Sequence, residues 1–292
     1  MDSQGLSARI DQAQARIEEA VAQFDLVALQ LSGGKDSLAC LQLARPWWDR
    51  IHVVWANAGD TVPETRAQMD AIKAMVPHFH EVQGQAVQTQ QTAGWPVDMV
   101  PAGSSPLGRM LDPDQEHPAL VGRYECCAHN VWLPMHKALA AAGVKALIRG
   151  QRDDERLRNS AYRHGSIVRE INASIVLPIQ EWTALQVFEY LKREDVPIPA
   201  QYAYGLTSLD CLHCTAYMHE REPLLRYLRD HHTAAAAEVE RRLKVIDQAQ
   251  DRERRYLRAA IGANDLDEPS PDTAVVQRWH AVMLDLAGIR SS

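Results

Sequence analysis

The sequence predicts an α/β protein: a doubly wound, mostly parallel sheet followed by a helical C-terminal extension. The first observation is a set of short apolar runs, typical of strands buried on both faces, at residues 26–31, 51–56, 145–149 and 175–178. The second is that helix-periodic stretches separate these runs, as in βαβ units. The third is a long, helix-periodic stretch of mixed charge after the last run. We therefore expect a sheet domain over residues 1–217 and a helical extension with a tail over residues 218–292.

Composition narrows the class of protein. The chain has 292 residues, 46% of them hydrophobic, and a formal net charge of −7. This charge excludes a generally basic nucleic-acid binder, although local basic patches remain open. No apolar run is as long as a membrane span and no signal-peptide core is present, so we expect a cytoplasmic protein without membrane contact. Five cysteines in such a protein favour metal or redox chemistry over disulfides.

Predicted helices and strands alternate through the N-terminal part of the chain. Apolar side chains at helical spacing predict an amphipathic first helix, and Pro63 is suited to the first turn of a later one. The predicted order is a helix at residues 6–24, a strand at 26–31, a helix ended by Pro46, a strand at 51–56, a helix from Pro63 to about residue 76, and a strand at 78–83.

A polar, glycine-containing loop follows the first strand and precedes a helix. It consists of Ser32, Gly33, Gly34, Lys35, Asp36 and Ser37. The two glycines allow a tight turn with no Cβ in the way of a phosphate, and the N–H groups at the helix start favour an anion. Lys35 adds positive charge, the serines add hydroxyl donors, and Asp36 can hold Mg²⁺ through water. The loop lacks the spacing of a Walker A motif. The alternative is an ordinary polar strand-to-helix loop.

A second polar turn, residues 57–62, follows the second strand. It stands at the carboxyl end of that strand, where open α/β sheets bind ligands. We expect Asn57 and Gly59 to contact the same nucleotide as the first loop. A simple connecting loop is the alternative.

The second half of the chain is less regular. Residues 84–125 have poor periodicity, and we expect a substrate-facing loop region there. Arg109 and Arg123 could meet a phosphate in it, or be solvated surface arginines. The remaining predicted elements are a helix opened by Cys126 and Cys127 and running to about residue 142, a strand at 145–149, a strand at 175–178, a helix from a Thr183–Gln186 capping box to Arg193, and helix from 220 to about 261 with a break near 230–233.

Basic residues concentrate directly after the strand at 145–149. Six arginines lie between residues 149 and 169. Gly150, Arg152 and Arg158 are the candidates for an anion site there, since the stretch begins where a strand ends. A surface ion-pair network is the alternative.

Four of the five cysteines form two pairs, namely Cys126 with Cys127 and Cys211 with Cys214. Thiolates are soft ligands suited to iron–sulfur clusters or zinc. Adjacent cysteines suit tetrahedral zinc poorly, because neighbouring side chains on a helix diverge by roughly 100°. Buried structural cysteines and zinc remain alternatives to a cluster. Cys40, on the helix after the first loop, is expected to lie in the core.

Two resemblances follow from these motifs. Residues 32–37 resemble the Ser-Gly-Gly-x-Asp-Ser loop of the N-type ATP pyrophosphatases, enzymes of the adenine nucleotide alpha-hydrolase-like fold that split ATP into AMP and pyrophosphate. The two cysteine pairs resemble the [4Fe-4S] pattern of the adenylylsulfate (APS) reductases in the phosphoadenylylsulfate (PAPS) reductase family. The similarity includes residues 57–65, 150–154, 178–183 and 211–215, and it extends from about residue 26 to 215.

The chain departs from the reductase pattern in three ways. Asn130 and Val131 replace a basic pair after the first cysteines. No cysteine follows Cys214, so the C-terminal nucleophile of the reductases is absent. Lys35 and Asp36 are present in this chain, whereas the phosphate-loop motif of the reductases is degenerate. In this respect the chain is similar to the ATP-cleaving relatives, which include the ATP sulfurylase small subunit and the cluster-bearing enzyme of DNA phosphorothioation.

The resemblance implies an ATP pyrophosphatase that adenylates an acceptor in sulfur metabolism or sulfur transfer. ATP, Mg²⁺ and a [4Fe-4S] cluster are the implied ligands. The first loop would bind phosphates, Asp36 would hold Mg²⁺, and Arg152 and Arg158 would neutralise the substrate anion. Expected partners are an adenine nucleotide, an acceptor that is a small molecule or a nucleic acid, a sulfur donor protein, and a second copy of the chain. The alternatives are an APS or PAPS reductase with an external thiol, and a non-catalytic nucleotide-binding subunit with a structural cluster.

Overall fold

A computed structural model describes residues 3–111, 117–154, 162–207 and 211–262. Its central sheet has the strand order β3-β2-β1-β6-β8-β7. All neighbouring strands pair in parallel except β7, which is antiparallel to β8. This mostly parallel sheet confirms the predicted fold class. The strands of the sheet are β1 (Val27–Leu31), β2 (Ile51–Asn57), β3 (Phe79–Gln83), β6 (Ala146–Ile148), β7 (Ile167–Val168) and β8 (Ala173–Val176).

Helices cover both faces of this sheet, because the strands are apolar on both sides. Helices α1, α2, α3 and α8 contribute to the hydrophobic core on one face, and α7 contributes to the core on the other. The helices of this layer arrangement are α1 (Ser3–Gln23), α2 (Lys35–Leu43), α3 (Pro63–Met75), α7 (Leu133–Ala142) and α8 (Ala184–Arg193). The capping box that the sequence predicts for α8 is present, with both the Thr183 and the Gln186 hydrogen bonds formed.

The strand order places a topological switch point beside β1. The chain proceeds from β1 to β2 and β3 on one side, and later adds β6 and β8 on the other. Ligands of open α/β sheets bind at such a point, beyond the carboxyl ends of the strands. The loop of residues 32–37 therefore begins where the fold itself favours a binding crevice.

The chain forms two compact units. The first comprises residues 1–86 and 127–212 and contains the large sheet; the second comprises residues 87–126 and 213–292. The expected boundary at residue 217 stays a prediction, and residues 263–292 lie outside the described chain.

The second unit contains a small parallel pair of strands and two longer helices. Val97, Leu120, Ile246 and Ala249 form its buried apolar cluster. Its elements are α4 (Ala86–Thr92, beginning at the last residue of the first unit), β4 (Trp95–Val97), α5 (Pro106–Leu111), β5 (Leu120–Gly122), α9 (Arg221–His231) and α10 (Thr233–Ala260). The break between α9 and α10 falls where the sequence predicts it. None of the described helices is long and apolar enough to cross a membrane.

The structure corrects three expectations. The stretch at residues 84–125 is not one irregular loop, since it contains α4, β4, α5 and β5. Strand β7 has no counterpart in the sequence prediction. The cysteine pair does not open a helix but ends the short α6 (Arg123–Cys127), and a π-helical segment (Ala128–Trp132) then leads into α7. Such π turns are rare and are frequent at functional sites.

Candidate active site

The loop after β1 is a compact turn held by its own side chains. Gly33 has a φ of +84°, and a Cβ there would lie 2.7 Å from Cε of Met69. The Ser37 hydroxyl donates to the carbonyl oxygen of Gly34 at 2.9 Å and lies 3.1 Å from the Ser32 hydroxyl. The positive φ therefore favours glycine at position 33, and the two serines fix the turn internally.

The amino end of α2 presents backbone donors at this turn. Lys35 donates its N–H to the hydroxyl of Tyr202 at 2.9 Å. Within the described chain, the N–H groups of Asp36 and Ser37 have no hydrogen-bond acceptor. Unsatisfied donors at a helix start, aligned with the positive end of the helix dipole, form an anion-binding position.

Three charged side chains predicted to act at the site meet beside the turn. The Asp36 carboxylate contacts Lys35 Nζ at 2.7 Å through Oδ2 and Arg152 Nε at 2.6 Å through Oδ1. Arg152 is only 5% exposed and also pairs with Asp154. The expected role of Asp36 as a Mg²⁺ ligand stays a prediction, since both its oxygens contact cations here. Arg158 lies outside the described residues.

Gly150, another predicted site residue, lies directly against this group. A Cβ at Gly150 would be 2.5 Å from the backbone carbon of Asp36 and 2.7 Å from the backbone nitrogen of Ser37. The absence of a side chain thus lets the end of β6 approach the start of α2. This approach places Arg152, two residues later, within reach of Asp36.

Asn57 organises the second predicted turn. Its amide nitrogen donates to Glu81 at 2.8 Å and to Gln83 at 3.0 Å. Its amide oxygen accepts from the N–H of Gly59 and the hydroxyl of Thr61. With its side chain 6% exposed and bonded at both ends, Asn57 holds the turn in place.

A cavity of about 160 Å³ lies at the carboxyl ends of β1 and β2. It adjoins the phosphate-loop candidate, since Ser32 is one of its lining residues, and the π-helical segment closes it on another side. Its lining residues are Gln30, Leu31, Ser32, Trp55, Ala56, Ala58, Thr61, Thr65, Val131, Trp132 and Met135. The mixture of apolar walls with a few hydroxyl and amide groups is typical of a small-molecule site. The contribution of Trp132 was not predicted, because the π turn that presents it has no sequence signature.

None of the five cysteines forms a disulfide. Cys211 forms a β-bridge with Thr61, and the next residue, Leu212, donates its N–H to the carbonyl oxygen of Asp60 at 2.7 Å. The second cysteine pair therefore begins beside the Asn57 turn. Cys126 is buried, and the other three cysteines of the two pairs are half-buried.

Near Cys214, Arg221 donates to the carbonyl oxygens of Cys214 and Ala216. Burial lowers the pKa of Arg221, and the nearby Cys214 opposes this effect. Among the residues that the structure describes, no group of three or more His, Cys, Asp or Glu side chains is arranged to hold a metal ion. The donor types match those of an iron–sulfur cluster.

Cys40 and the two candidate arginines of residues 84–125 have structural roles. Cys40 is fully buried, as predicted, and burial together with the Asp36 charge raises the pKa of its thiol. Arg109 donates to the carbonyl oxygen of His117, and Arg123 pairs with Asp98 at 3.0 Å. Neither arginine is a freely solvated side chain.

Comparison with known proteins places these features in a family. The model of the phosphoadenosine phosphosulfate reductase domain matches residues 26–217. The chain is 27% identical over 209 residues to a phosphoadenosine 5'-phosphosulfate reductase of Gloeobacter violaceus, covering 70% of this chain and 78% of that protein. It is 30% identical over 93 residues to an adenosine 5'-phosphosulfate reductase of Burkholderia cepacia, covering 32% and 36%. A phosphate complex of the Candida auris PAPS reductase aligns over 72% of this chain and 95% of its own, with 14% identity and a TM-score of 0.49. The family match includes the loop after β1 and both cysteine pairs.

The Asn57 turn gives a pH-dependent prediction. The hydrogen bond from Arg66, at 2.5 Å, holds the pKa of Glu81 below its ordinary value of 4.5. The ionised carboxylate therefore stabilises the fold above that pH, and the stabilisation is lost as the pH falls through the lower, folded-state pKa. We expect Glu81→Gln to reduce the free energy of unfolding by about 1 kcal/mol at pH 7, a value discounted because Arg66 is partly exposed. Urea denaturation between pH 7 and pH 3 should show the difference shrinking below about pH 4.5.

Asp70→Asn is the matched control for this measurement. Asp70 contacts the same Arg66 at 3.5 Å but has an exposed side chain, so its loss should change stability little. An effect of Glu81→Gln that is independent of pH, or no larger than that of Asp70→Asn, would contradict the assignment.

Proposed function

We propose, from the premise that this chain belongs to the phosphoadenosine phosphosulfate reductase domain family, that it is an ATP pyrophosphatase that adenylates an acceptor in sulfur metabolism. The observation that carries this proposal is the pair of unbonded N–H groups, those of Asp36 and Ser37, at the start of α2 within the described chain. They lie beside Lys35 on a glycine turn at the switch point of the sheet. Such a position favours a polyanion over a neutral ligand.

The proposed reaction transfers the AMP group of ATP. An oxygen of the acceptor attacks the α-phosphorus, the bond from that phosphorus to the bridging oxygen breaks, and pyrophosphate leaves with the negative charge. The loop of residues 32–37 binds this leaving group, and its fixed N–H donors stabilise the charge that develops on it. Lys35 contributes a positive charge at the same place. Arg152 acts by holding Asp36 and thereby the start of α2, and Arg158 is proposed to neutralise the substrate anion.

The cavity at the ends of β1 and β2 is proposed to take the adenine and ribose. It adjoins Ser32, so a nucleotide bound there would extend its phosphates toward the N–H groups of α2. The turn of residues 57–62 contributes Ala58 and Thr61 to the cavity lining, and Asn57 and Gly59 are proposed to contact the nucleotide beside them. Mg²⁺ is proposed to accompany the phosphates, with Asp36 as its protein partner through water.

A [4Fe-4S] cluster is the proposed cofactor, held by Cys126, Cys127, Cys211 and Cys214. The support is the donor set itself, since the chain supplies four cysteines in two pairs and thiolates are the ligands such clusters need. When bound, the cluster would serve sulfur transfer or substrate positioning. The proposed partners are an acceptor that is a small molecule or a nucleic acid, a sulfur donor protein, and a second copy of the chain.

Sulfonucleotide reduction is the second candidate, because the curated relatives are named as APS or PAPS reductases. That reaction uses an accessible thiolate that attacks the sulfate sulfur. If the paired cysteines bind a cluster, Cys40 is left, and it is buried with a raised thiol pKa. An external thiol would then have to replace the missing nucleophile. A nucleotide-binding subunit without catalysis would fit the same cavity and would release no product.

The cluster gives the first test. Protein purified without oxygen should be brown and contain about four iron atoms per chain. Cys127→Ser and Cys214→Ser should each lose the visible absorption and lower the melting temperature, because ligation joins distant segments. Cys40→Ser is the control and should keep its iron. Stoichiometric zinc without iron in the anaerobic wild type would contradict the proposal.

The nucleotide site gives the second test. Lys35→Ala removes a charged phosphate contact worth roughly 1.5–3 kcal/mol, so ATP affinity measured by calorimetry should fall about ten- to hundredfold. Lys192→Ala, which removes an exposed lysine of α8, should leave it unchanged. Unaltered ATP binding by Lys35→Ala would count against the loop as the phosphate site.

A further inference from the structure

The hydroxyl of Tyr202 lies at the loop of residues 32–37, beside the start of α2. It accepts the N–H of Lys35 at 2.9 Å, the donor that precedes the N–H groups of Asp36 and Ser37, for which the described part of the chain supplies no acceptor. It also lies 3.1 Å from where a Cβ on Gly34 would be, so it is in direct contact with the turn. A neutral hydroxyl at a helix start satisfies one orphan donor and leaves less room for an anion.

The same tyrosine covers the ammonium group of Lys35. Lys35 Nζ lies 5.4 Å from the ring centre of Tyr202 and 5.9 Å from that of Phe188, within the range of cation–π contact. The two rings pack edge to face at 5.5 Å. On the other side the ammonium contacts Asp36. Both the backbone donor and the charge of Lys35 are thus engaged by this chain itself.

Tyr202 is carried by a segment that we call the strap and define as residues 195–205. Asp195 and Gly205, at its two ends, have φ values of +53° and +86°, so the backbone changes direction sharply at both. A Cβ at Gly205 would contact nothing within 4 Å. The first half of the strap lines a cavity of about 730 Å³ together with α2 and α3, so it is not closely packed on that side.

We propose that the Tyr202 hydroxyl competes with phosphate for the N–H group of Lys35. This competition limits how tightly the loop binds phosphate groups. A bound phosphate group displaces the hydroxyl from Lys35, and the strap moves away with it. Every anion that binds must overcome this contact, which lowers all phosphate affinities by the same factor. Single phosphate or sulfate ions, with few contacts, then bind too weakly to occupy the loop. A pyrophosphate group, which also reaches Asp36 and Ser37, still binds. This inference rests on the proposed phosphate site.

Calorimetry with Tyr202→Phe tests the competition. Removing the hydroxyl should tighten binding of pyrophosphate by about two- to tenfold, the effect of one lost hydrogen bond. Orthophosphate should gain by a similar factor. Tyr204→Phe, in the same 3₁₀ turn (Ala200–Tyr204), is the matched control and should change neither affinity. If Tyr202→Phe folds poorly, Phe188→Leu is the substitute test. It removes the ring packed on Tyr202 and should also increase the affinity for pyrophosphate and orthophosphate.

Amide hydrogen exchange provides a measurement that would not change on pyrophosphate binding if Tyr202 had only a structural role. Pyrophosphate should speed exchange in peptides covering residues 196–206 of the wild type. Weaker or unchanged pyrophosphate binding in Tyr202→Phe, or slower exchange in the strap, would overturn the inference. If neither wild type nor variant binds pyrophosphate or ATP, the proposed function falls as well. If the wild type binds both and Lys35→Ala weakens them, but Tyr202→Phe brings no gain, only this inference falls.

Discussion

The carboxylate of Asp36, shared between Lys35 and Arg152, is the interaction on which the candidate site depends. It joins the loop after β1 to the segment after β6, which is 116 residues further along the chain. Arg152 is almost fully buried, and a buried charge without its partner costs several kcal/mol. The close approach at Gly150 makes this ion pair possible, because any side chain there would overlap the backbone of Asp36. The start of α2, with its N–H donors, is therefore held by the ion pair with Arg152 as well as by the hydrogen bonds within the loop.

The side chains of this loop, rather than the family name, indicate which chemistry the site supports. Membership in a family establishes a fold and a lineage, while function depends on the side chains placed at the site. Here the loop keeps a lysine, an aspartate and two hydroxyls around helix N–H groups that have no acceptor among the described residues. A sulfonucleotide would need a reactive thiolate nearby, and the thiol closest to the loop in sequence, Cys40, is buried in the core. The observed groups suit the binding of a leaving pyrophosphate better than an attack on sulfur.

Much of the fold could be predicted because its signals are local. The runs that form β1, β2, β6 and β8 consist mainly of apolar residues, and Pro63 and Thr183 begin their helices as their chemistry predicts. Strands β4 and β5 have three residues each, too few to show a period, so the stretch containing them was wrongly expected to be irregular. The π turn after Cys127 likewise has no local pattern.

At the site, the sequence identified the loop residues but not their partners. Tyr202 contacts Lys35 across 167 residues, and nothing near Tyr202 in the chain marks it as part of an anion site. The expected contact of Asn57 with the nucleotide stays a prediction, and the sequence did not show that its amide bonds Gly59, Thr61, Glu81 and Gln83. Motifs predict which residues collect at a sheet edge, and the hydrogen bonds among them follow from tertiary contacts.

The central claim is that this loop acts on ATP rather than on a sulfonucleotide. The most direct measurement offers labelled ATP, APS and PAPS separately to anaerobically purified protein, with thioredoxin present and with a cell extract as a source of acceptor. Our account predicts pyrophosphate from ATP in the presence of the extract, beyond the extract alone, and no sulfite from APS or PAPS at a physiological rate. Rapid sulfite formation, whether it survives Cys40→Ser or is abolished by it, would contradict the account and restore the reductase as the leading function.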